Sequence, residues 1–249
     1  MKKIILLMLS IIIIGCGESV KPDLLDYQLK GRVKSVDLFE FEIKEKFGEP
    51  KDVNKERVGV WLFNENGMFD FYGGEYINGR RTYKEEMEYD DSGEDVEFRA
   101  YREGYLIDRR VSEKRERGQT TESSSYDGNG KLTRKNKMEY DDRGYIAKYL
   151  AYNPEGELVF KIEYSYDDYG NKTEQNYYLG DRLETRWKMK YNENGHIIEE
   201  KKYYATGELS KETRWTYLNF DKENNWTRMK QLTGDHEYYY KREIKYYGQ

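Results

Sequence analysis

The sequence predicts an all-β domain, an antiparallel meander of hairpins that forms a curved open sheet or a wide, barrel-like roll. A short turn motif recurs along the chain, and the segments between the turns alternate between apolar and polar residues. The composition agrees, because 26 tyrosines and 37% charged residues accompany only three prolines. Disordered chains are poor in aromatic residues, whereas aromatic-rich amphipathic segments suit a sheet with one packed face and one face in water.

The turn motif consists of an aromatic residue, Asp or Asn, two variable residues and Gly. In such a turn the Asp or Asn side chain binds the backbone further on, and Gly adopts a left-handed conformation that other residues resist. Asn224 replaces Gly in one copy, and Asn is the next best residue for this conformation. We therefore expect a type I turn followed by a bulge at each copy. The copies lie at 63–67, 89–93, 126–130, 140–144, 152–156, 166–170, 191–195, 203–207 and 220–224.

Weaker turn signals lie in the longer gaps, at Asn78–Gly79, Glu103–Gly104, Arg115–Gly118 and Gly180–Asp181. Together the turns recur about every 12–14 residues, which leaves about eight to ten residues for each strand. We predict about 13–16 antiparallel strands in sequence order, with little helix after Cys16. Because strongly twisted open sheets rarely exceed about ten strands, a sheet of this size should coil or close. The stretch Lys46–Lys55, which contains a glycine and a proline, is predicted to be a loop.

The segments between turns alternate with a period of two, which is typical of half-buried strands. One face of the segment 157–166 carries Leu158, Phe160, Ile162, Tyr164 and Tyr166. The same alternation in the segment 208–217 gives Leu209, Lys211, Thr213, Trp215 and Tyr217. The opposite faces carry charges of both signs, as in Lys131–Lys137 and Glu199–Lys202, and are predicted to be solvated. The tyrosines are interpreted as cross-strand packing rather than as a ligand site.

The N-terminus has the features of a secretory signal. Two lysines follow Met1, and an apolar run from Ile4 to Ile14 is broken only by Ser10. The run is too short to span a bilayer, which takes roughly 20 apolar residues. The residues that end at Cys16 resemble the lipobox of bacterial lipoproteins, in which the cysteine thiol receives a diacylglyceryl group. An ordinary signal peptide with a stray cysteine is the alternative.

The lipobox resemblance implies a signal peptide at 1–15 and a lipidated tether at 16–28, and the repeated turns predict a single β-repeat domain at 29–249. We expect Cys16 to be the lipid attachment site; it is the only cysteine, so no internal disulfide is available. The lipid would attach the protein to a membrane of the cell envelope. Gly17 follows the cysteine, so the inner-membrane retention aspartate of enterobacterial lipoproteins is absent, and we expect the outer membrane in a cell that has one.

The charge balance argues against a nucleic-acid partner. Removing residues 1–15 takes two lysines from 43 basic residues and leaves 41 against 48 acidic residues, a net charge of −7. Proteins that bind nucleic acids usually present a basic face. We therefore expect no nucleic acid among the partners of this chain.

Several segments resemble the YD repeats of Rhs-type bacterial proteins. Tyr166–Asn171 matches the full unit, Tyr-Asp-x-x-Gly-Asn, and Phe220–Trp226 resembles its variant with Asn-Trp after the turn. Leu29–Val36 is similar to the first strand of short exported YD-repeat lipoproteins, and Tyr203–Leu209 also resembles MORN-type repeats. The resemblance covers about residues 29–247. It implies a β-hairpin scaffold and transfers no catalytic residue, because the chain is too short for the toxin-enclosing shell of long Rhs proteins.

The sequence offers no positive case for an enzyme, a cofactor or a metal site. His196 follows a turn glycine and His236 lies in the final turn, and no HExxH spacing, nucleophile elbow or P-loop occurs. Acid pairs such as Asp90–Asp91 and Asp167–Asp168 could bind Ca²⁺, but their place in the repeated turn already explains them. The sequence does not decide whether two carboxylates lie at the separation that a glycoside hydrolase needs, because that separation depends on the fold.

These features favour a non-catalytic surface scaffold that binds a protein or glycan partner. The alternatives are an immunity or antitoxin-like lipoprotein, suggested by the YD-repeat resemblance, and a cell-envelope hydrolase. The partner is expected on the concave aromatic face or at a free edge of the C-terminal strand within Glu237–Gln249, where an unpaired strand can accept another. In the alternative interpretation, the five tyrosines of that strand cover the end of the core.

Overall fold

The computed structural model describes residues 29–46, 49–77, 80–91, 93–116 and 119–248. These residues form sixteen antiparallel strands in sequence order, and the last strand pairs with the first to close a barrel. The predicted all-β meander, its strand number and its barrel-like form are confirmed. The strands are β1 (Val33–Lys46), β2 (Glu49–Phe63), β3 (Phe69–Ile77), β4 (Arg80–Tyr89), β5 (Asp95–Arg102), β6 (Tyr105–Glu116), β7 (Gln119–Asp127), β8 (Leu132–Tyr140), β9 (Ile146–Tyr152), β10 (Leu158–Tyr166), β11 (Lys172–Leu179), β12 (Arg182–Tyr191), β13 (Ile197–Tyr204), β14 (Leu209–Phe220), β15 (Trp226–Thr233) and β16 (His236–Tyr246).

The recurring turn has the predicted geometry. After β10, the amide of Asp167 donates to the carbonyl of Asn171 over 2.9 Å, and the amide of Gly170 donates to the carbonyl of Asp167 over 3.1 Å. The Asp167 carboxylate accepts the amides of Tyr169 and Asn171 at 3.0 and 2.8 Å. Gly170 has φ +84°, and Asn224, which replaces Gly in its copy, has φ +61°. Asx hydrogen bonding and left-handed backbone therefore produce the hairpins, as the sequence predicts.

The turns gather at two ends of the barrel. We call one end the tyrosine rim; it holds both ends of the described chain and the turns that follow even-numbered strands. Four tyrosines at or near the ends of even strands each donate a hydroxyl hydrogen bond to a backbone carbonyl at the start of the preceding strand. These bonds join Tyr140 to Thr120 (2.6 Å), Tyr166 to Ile146 (3.0 Å), Tyr191 to Lys172 (2.9 Å) and Tyr217 to Ile197 (2.8 Å). The other end, where odd-numbered strands lead into even-numbered ones, is the far rim.

A buried asparagine joins the two ends of the chain at the tyrosine rim. Asn225 has no exposed surface. Its side-chain amide donates to the carbonyl of Lys30 and to the hydroxyl of Tyr246, both over 2.8 Å, and its oxygen accepts the amide of Lys30 at 2.6 Å. Close by, the amide of Tyr247 donates to the carbonyl of Arg32. These bonds support the β1–β16 pairing that closes the barrel.

One face of every strand points into the barrel. Cross-strand partners share a face, and the pairs Val36–Trp61, Trp61–Tyr72 and Met229–Tyr240 place the buried side chains on the inner face. The predicted face of 157–166 is confirmed, because Ile162 pairs with Tyr149, which is also buried. The first core cluster is Leu29, Val33, Val36, Leu38, Trp61, Phe63, Phe69, Tyr72, Trp226, Met229 and Tyr240, and the second is Met138, Ile146, Tyr149 and Ala151.

Two expectations about the extent and the edges of the strands are wrong. Lys46–Lys55 is not a loop, because β1 continues to Lys46 and β2 begins at Glu49. The irregular sequence is instead absorbed by register shifts in the β1–β2 pair and by Asn54 at φ +52°. The C-terminal strand offers no free edge within the described chain, because β16 pairs with β15 on one side and with β1 on the other.

Candidate functional site

The interior of the barrel is the candidate site, and its inner wall is only partly apolar. On β11, β13 and β14, the inward-pointing side chains nearest the far rim are exposed: Leu179 by 47%, Tyr204 by 50% and Leu209 by 46%. At the tyrosine rim, by contrast, His196 and Trp226 are buried. The inner face of these strands is therefore in contact with solvent at the far rim. Sixteen strands are also enough for a lumen, since barrels of about this size enclose aqueous channels.

The wall from β4 to β9 combines carboxyl groups, arginines and a tyrosine. Register places Glu85 opposite Ala100, and Ala100 opposite Asp108, so both acids point inward. Burial raises the pKa of Asp108, against the lowering effect of the positive charges of Arg134 and Arg110. Burial also raises the pKa of Tyr149, which these same groups surround. This part of the wall holds charged groups of both signs in a poorly solvated setting.

The wall from β10 to β14 is dominated by lysines. We define the lysine wall as Lys172, Lys202 and Lys211 together with Glu200. Lys202 pairs directly with Lys211 and, on the other side, with Trp187, so all three point inward. The ammonium group of Lys202 lies 4.8 Å from the centre of the Trp187 ring, and that of Lys172 lies 4.6 Å from the centre of the Tyr164 ring.

Glu200 is the acidic member of the lysine wall. Burial raises its pKa, while the positive charges of Lys211, Lys172 and Lys202 act to lower it. Among the described residues, neither Lys202 nor Lys211 forms an ion pair within 4.0 Å. The lysine wall thus carries an excess of positive charge inside a protein whose overall charge is negative.

Arg242, on β16, points inward near the tyrosine rim. Its guanidinium lies 3.7 Å from the centre of the Trp226 ring. Its Nε and Nη1 atoms are buried and have no hydrogen-bond partner in the described part of the chain. Burial lowers the pKa of Arg242, and burial together with the charges of Lys30 and Arg242 lowers the pKa of His196. This corner therefore favours neutral histidine.

The outer wall along β12 to β14 is different, because most of its charges are paired. Along β12 to β14, Glu199 binds Lys190 at 2.9 Å and Lys201 at 3.3 Å, and Lys201 also lies 3.5 Å from Glu212. Glu212 then binds Arg214 at 2.6 Å. Hydrogen bonding to Lys190 lowers the pKa of Glu199 despite its partial burial. The outer face is a network of alternating charges in contact with water.

The structure separates the two histidines and gives the first acid of one pair a role in its own turn. His196 is buried, with its ring 4.8 Å from Tyr217 and 5.5 Å from Phe220, whereas His236 is exposed at the far rim. The first acid of the pair Asp167–Asp168 caps its own turn, as described above. No group of three or more metal-ligating side chains occurs within the described ranges. Cys16 lies outside the described residues, so its lipidation stays a prediction.

Sequence reasoning missed the charged groups of the inner wall. The stretches Lys131–Lys137 and Glu199–Lys202 were expected on the solvated face, but alternation turns Arg134, Glu200 and Lys202 inward. A signal was present, because Lys211 falls in the same period-two set as Thr213, Trp215 and Tyr217. A lysine that shares its face with tryptophan and tyrosine was the indication of a charged wall.

Comparison with known proteins finds a similar fold but identifies no family. No known family model matches the sequence, and no curated protein matches it. A solved structure of a porin-like protein from Bacteroides uniformis matches with a TM-score of 0.56 and 12% identity, over 87% of this chain and 98% of that chain. At this identity the likeness supports a common barrel fold and nothing further.

Two more solved structures are less similar. A porin-like protein from Bacteroides vulgatus gives a TM-score of 0.39 at 12% identity, over 88% of this chain and 100% of that one. A chain of the Tc holotoxin pore from Photorhabdus luminescens gives 0.31 at 10% identity, over 82% of this chain and 14% of that one. These likenesses are too weak to carry an argument. No helix in the described ranges is long and apolar enough to cross a bilayer.

Proposed function

We propose that this chain is an exported lipoprotein, attached to the envelope through Cys16, whose barrel binds a protein or glycan partner in its interior without catalysis. The observation that carries the proposal is the contrast between the outer wall and the inner wall of the barrel. Most charges of the outer wall along β12 to β14 lie in ion pairs, whereas the inner wall holds exposed aromatic groups together with Lys202 and Lys211, which form no ion pair within the described residues. Convergent polar groups among aromatic side chains are typical of binding sites.

The outer wall supports attachment through lipid rather than insertion of the barrel. A barrel that spans a membrane presents a band of apolar side chains about 25 Å tall to the lipid. On β12 to β14 the outward positions instead carry Lys190, Glu199, Lys201, Glu212 and Arg214. Charged outward side chains are costly at the middle of a bilayer. Two or more acyl chains would supply the attachment that this surface does not.

The position of the N-terminal end suggests how the barrel is oriented. The described chain enters at the tyrosine rim, where Asn225 holds Lys30. A tether over residues 16–28 could reach about 45 Å at most, at roughly 3.5 Å per residue. We infer that the tyrosine rim, to which the tether attaches, faces the membrane, and that the far rim points away from it.

The anchor is tested by mass spectrometry of the N-terminal peptide. We expect a diacylglyceryl group on Cys16, and we expect Cys16→Ser to leave the protein unlipidated and released from membranes. An unmodified Cys16, or cleavage at another position, would contradict the anchor.

Binding inside the barrel is tested by tryptophan fluorescence. Three of the four tryptophans, Trp61, Trp187 and Trp215, point inward, and Trp226 belongs to the first core cluster. Envelope glycan and protein fractions should change this fluorescence saturably if a partner enters the barrel. Binding without a fluorescence change would indicate an outer site, and release of a cleaved product would indicate an enzyme.

A further inference from the structure

Across β13 and β14 the lysine wall has a charge pattern that the outer face of the same two strands avoids. The outer face has one like-charge pair, Lys188–Lys201, but it lies across β12 and β13. Lys202 and Lys211 lie directly opposite each other on β13 and β14, and like charges in that position destabilise a sheet. On the outer face of the same strands, each basic residue has an acidic neighbour, as in the Lys201–Glu212 pair at 3.5 Å. The inner face has no such pairing between Lys202 and Lys211, although an acidic residue at position 211 would provide it.

Aromatic groups lie beside these lysines. Trp187 is the cross-strand neighbour of Lys202 on one side and of Gln175 on the other. Tyr164 pairs with Gln175, and its ring lies 4.6 Å from the ammonium group of Lys172. The wall therefore presents, in sequence across four strands, a tyrosine, an amide, a tryptophan and a lysine. Access from the far rim reaches it past Tyr204 and Leu209, which are exposed.

We propose that the lysine wall binds an acidic saccharide, with carboxylate groups on its sugar rings. This inference deepens the proposed function and rests on it. The C–H face of a pyranose ring packs well on aromatic rings, while hydroxyl groups find the amide of Gln175. Carboxylates pair with the ammonium groups of Lys202 and Lys211, which relieves the repulsion between them. In a partly desolvated wall each such pair is screened less than at the surface.

A single-stranded nucleic acid is the competing ligand class, because such chains also use cationic grooves and aromatic stacking. The net charge of the mature chain, −7 counted as above, opposes every polyanion and does not separate the two classes. The hydroxyl groups of a saccharide suit the amide of Gln175, and a hexanucleotide is therefore included in the test as the competitor.

The test uses the purified mature protein and a pair of probes that differ only in charge. Hexagalacturonate and its fully methyl-esterified form are titrated against tryptophan fluorescence. We expect saturable binding of the acid and at least tenfold weaker binding of the ester. Equal binding of the two probes, or tighter binding of a single-stranded hexanucleotide, would overturn the inference.

Matched variants locate the site. Lys202→Gln with Lys211→Gln should weaken binding of hexagalacturonate at least tenfold, whereas Lys202→Arg with Lys211→Arg should retain it. The control Lys190→Gln with Lys201→Gln removes two charges from the outer face of neighbouring strands and should bind as the wild type does. Thermal melting must show each variant folded. Equal loss in the outer-face control, or wild-type affinity in a folded Lys-to-Gln variant, would overturn the inference.

The result also separates this inference from the proposed function. If hexagalacturonate fails to bind while an envelope fraction still changes the tryptophan fluorescence, the acidic-saccharide assignment is wrong and binding in the interior stands. If neither probe nor envelope fraction changes the fluorescence, both are wrong.

Discussion

The two rims of the barrel use the same turn but differ in what lies beside it. At two places of the tyrosine rim the residue after a turn glycine reaches the next turn: Gln119 donates to the carbonyl of Gly144 over 3.0 Å, and Tyr145 packs against Gly170. At the far rim, Gly130, Gly156 and Gly207 have open space where a side chain would point. Side chains therefore link neighbouring turns at these places of the tyrosine rim. At the far rim neighbouring hairpins meet through backbone hydrogen bonds, from Gly180 to the carbonyl of Val159 and from Ala205 to the carbonyl of Glu184.

This difference shows that the structural repeat is a pair of strands. The tyrosines that bind back to the preceding strand are Tyr140, Tyr166, Tyr191 and Tyr217, at intervals of 26, 25 and 26 residues. Turns recur about every 12–14 residues because successive turns lie at alternate rims. Two such intervals make one strand pair. Stability should therefore depend more on the tyrosine rim, and access to the interior more on the far rim.

The largest expected effect is at the point where the tyrosine rim closes. Asn225→Ala removes three hydrogen bonds of a fully buried side chain and leaves the partly buried backbone amide and carbonyl of Lys30 without these partners. Each unsatisfied buried group costs about 1–3 kcal/mol, so we expect the free energy of unfolding to fall by about 3 kcal/mol or more. Urea denaturation measures it. Asn219→Ala, at an exposed position of β14, is the control, and an equal effect of both substitutions would show that the asparagine does not secure closure.

The second prediction compares a turn glycine from each rim. Gly156→Ala should cost only the penalty for a side chain at positive φ, about 1–2 kcal/mol, because its surroundings are open. Gly170→Ala should cost about 1 kcal/mol or more beyond that, since the new methyl group would overlap Tyr145, which is stacked on Tyr166 with ring centres 4.9 Å apart. The same loss of stability at both sites would contradict the difference between the rims.

The third prediction removes one hydroxyl group. Tyr166→Phe deletes the hydrogen bond to the carbonyl of Ile146 and keeps the ring, so we expect a loss of about 1 kcal/mol in the free energy of unfolding. Tyr169→Phe, at a side chain that is 91% exposed in the same turn region, should change nothing measurable. The pair is compared by denaturant titration, and no difference between the two variants would argue against the tyrosine bonds as a source of stability.

The smallest expected effect is a dependence on pH. Burial alone would raise the pKa of Asp167, but hydrogen bonds from Asn171 and from backbone amides of its turn lower it below the ordinary value. A carboxyl group with a lowered pKa in the folded state stabilises the fold above its unfolded pKa of about 4, and this contribution disappears as the pH falls through the lower value. Asp167→Asn should therefore lose less stability than the wild type between about pH 5 and about pH 2.

The control for this pH experiment is Asp168→Asn, at the exposed neighbouring position. It should keep the pH dependence of the wild type. A wild-type pH profile in Asp167→Asn would show that the turn hydrogen bonds do not depend on the charge of this carboxylate.

The hairpins were predictable from the sequence because each depends on neighbouring residues. Asp167 and Gly170 determine their turn through bonds that span four residues, and the period of two in 157–166 assigns its faces. The long β1–β2 hairpin was missed because Gly48 and Pro50 indicate a loop, while pairing with a long neighbouring strand outweighs such local signals. Cys16 lies outside the described residues, so its proposed lipidation stays a prediction.

The sequence by itself determined the turns, the alternation of faces and the number of strands, since these follow from local hydrogen bonding and side-chain direction. Only the tertiary structure decided that β16 meets β1, because that pairing joins residues about 200 positions apart, as in the Val36–Ile244 pair. Closure in turn placed Lys202, Lys211 and Trp187 in an interior rather than on an open face. Local patterns cannot specify which remote strands pair. The candidate site exists because β1 pairs with β16 and closes the barrel.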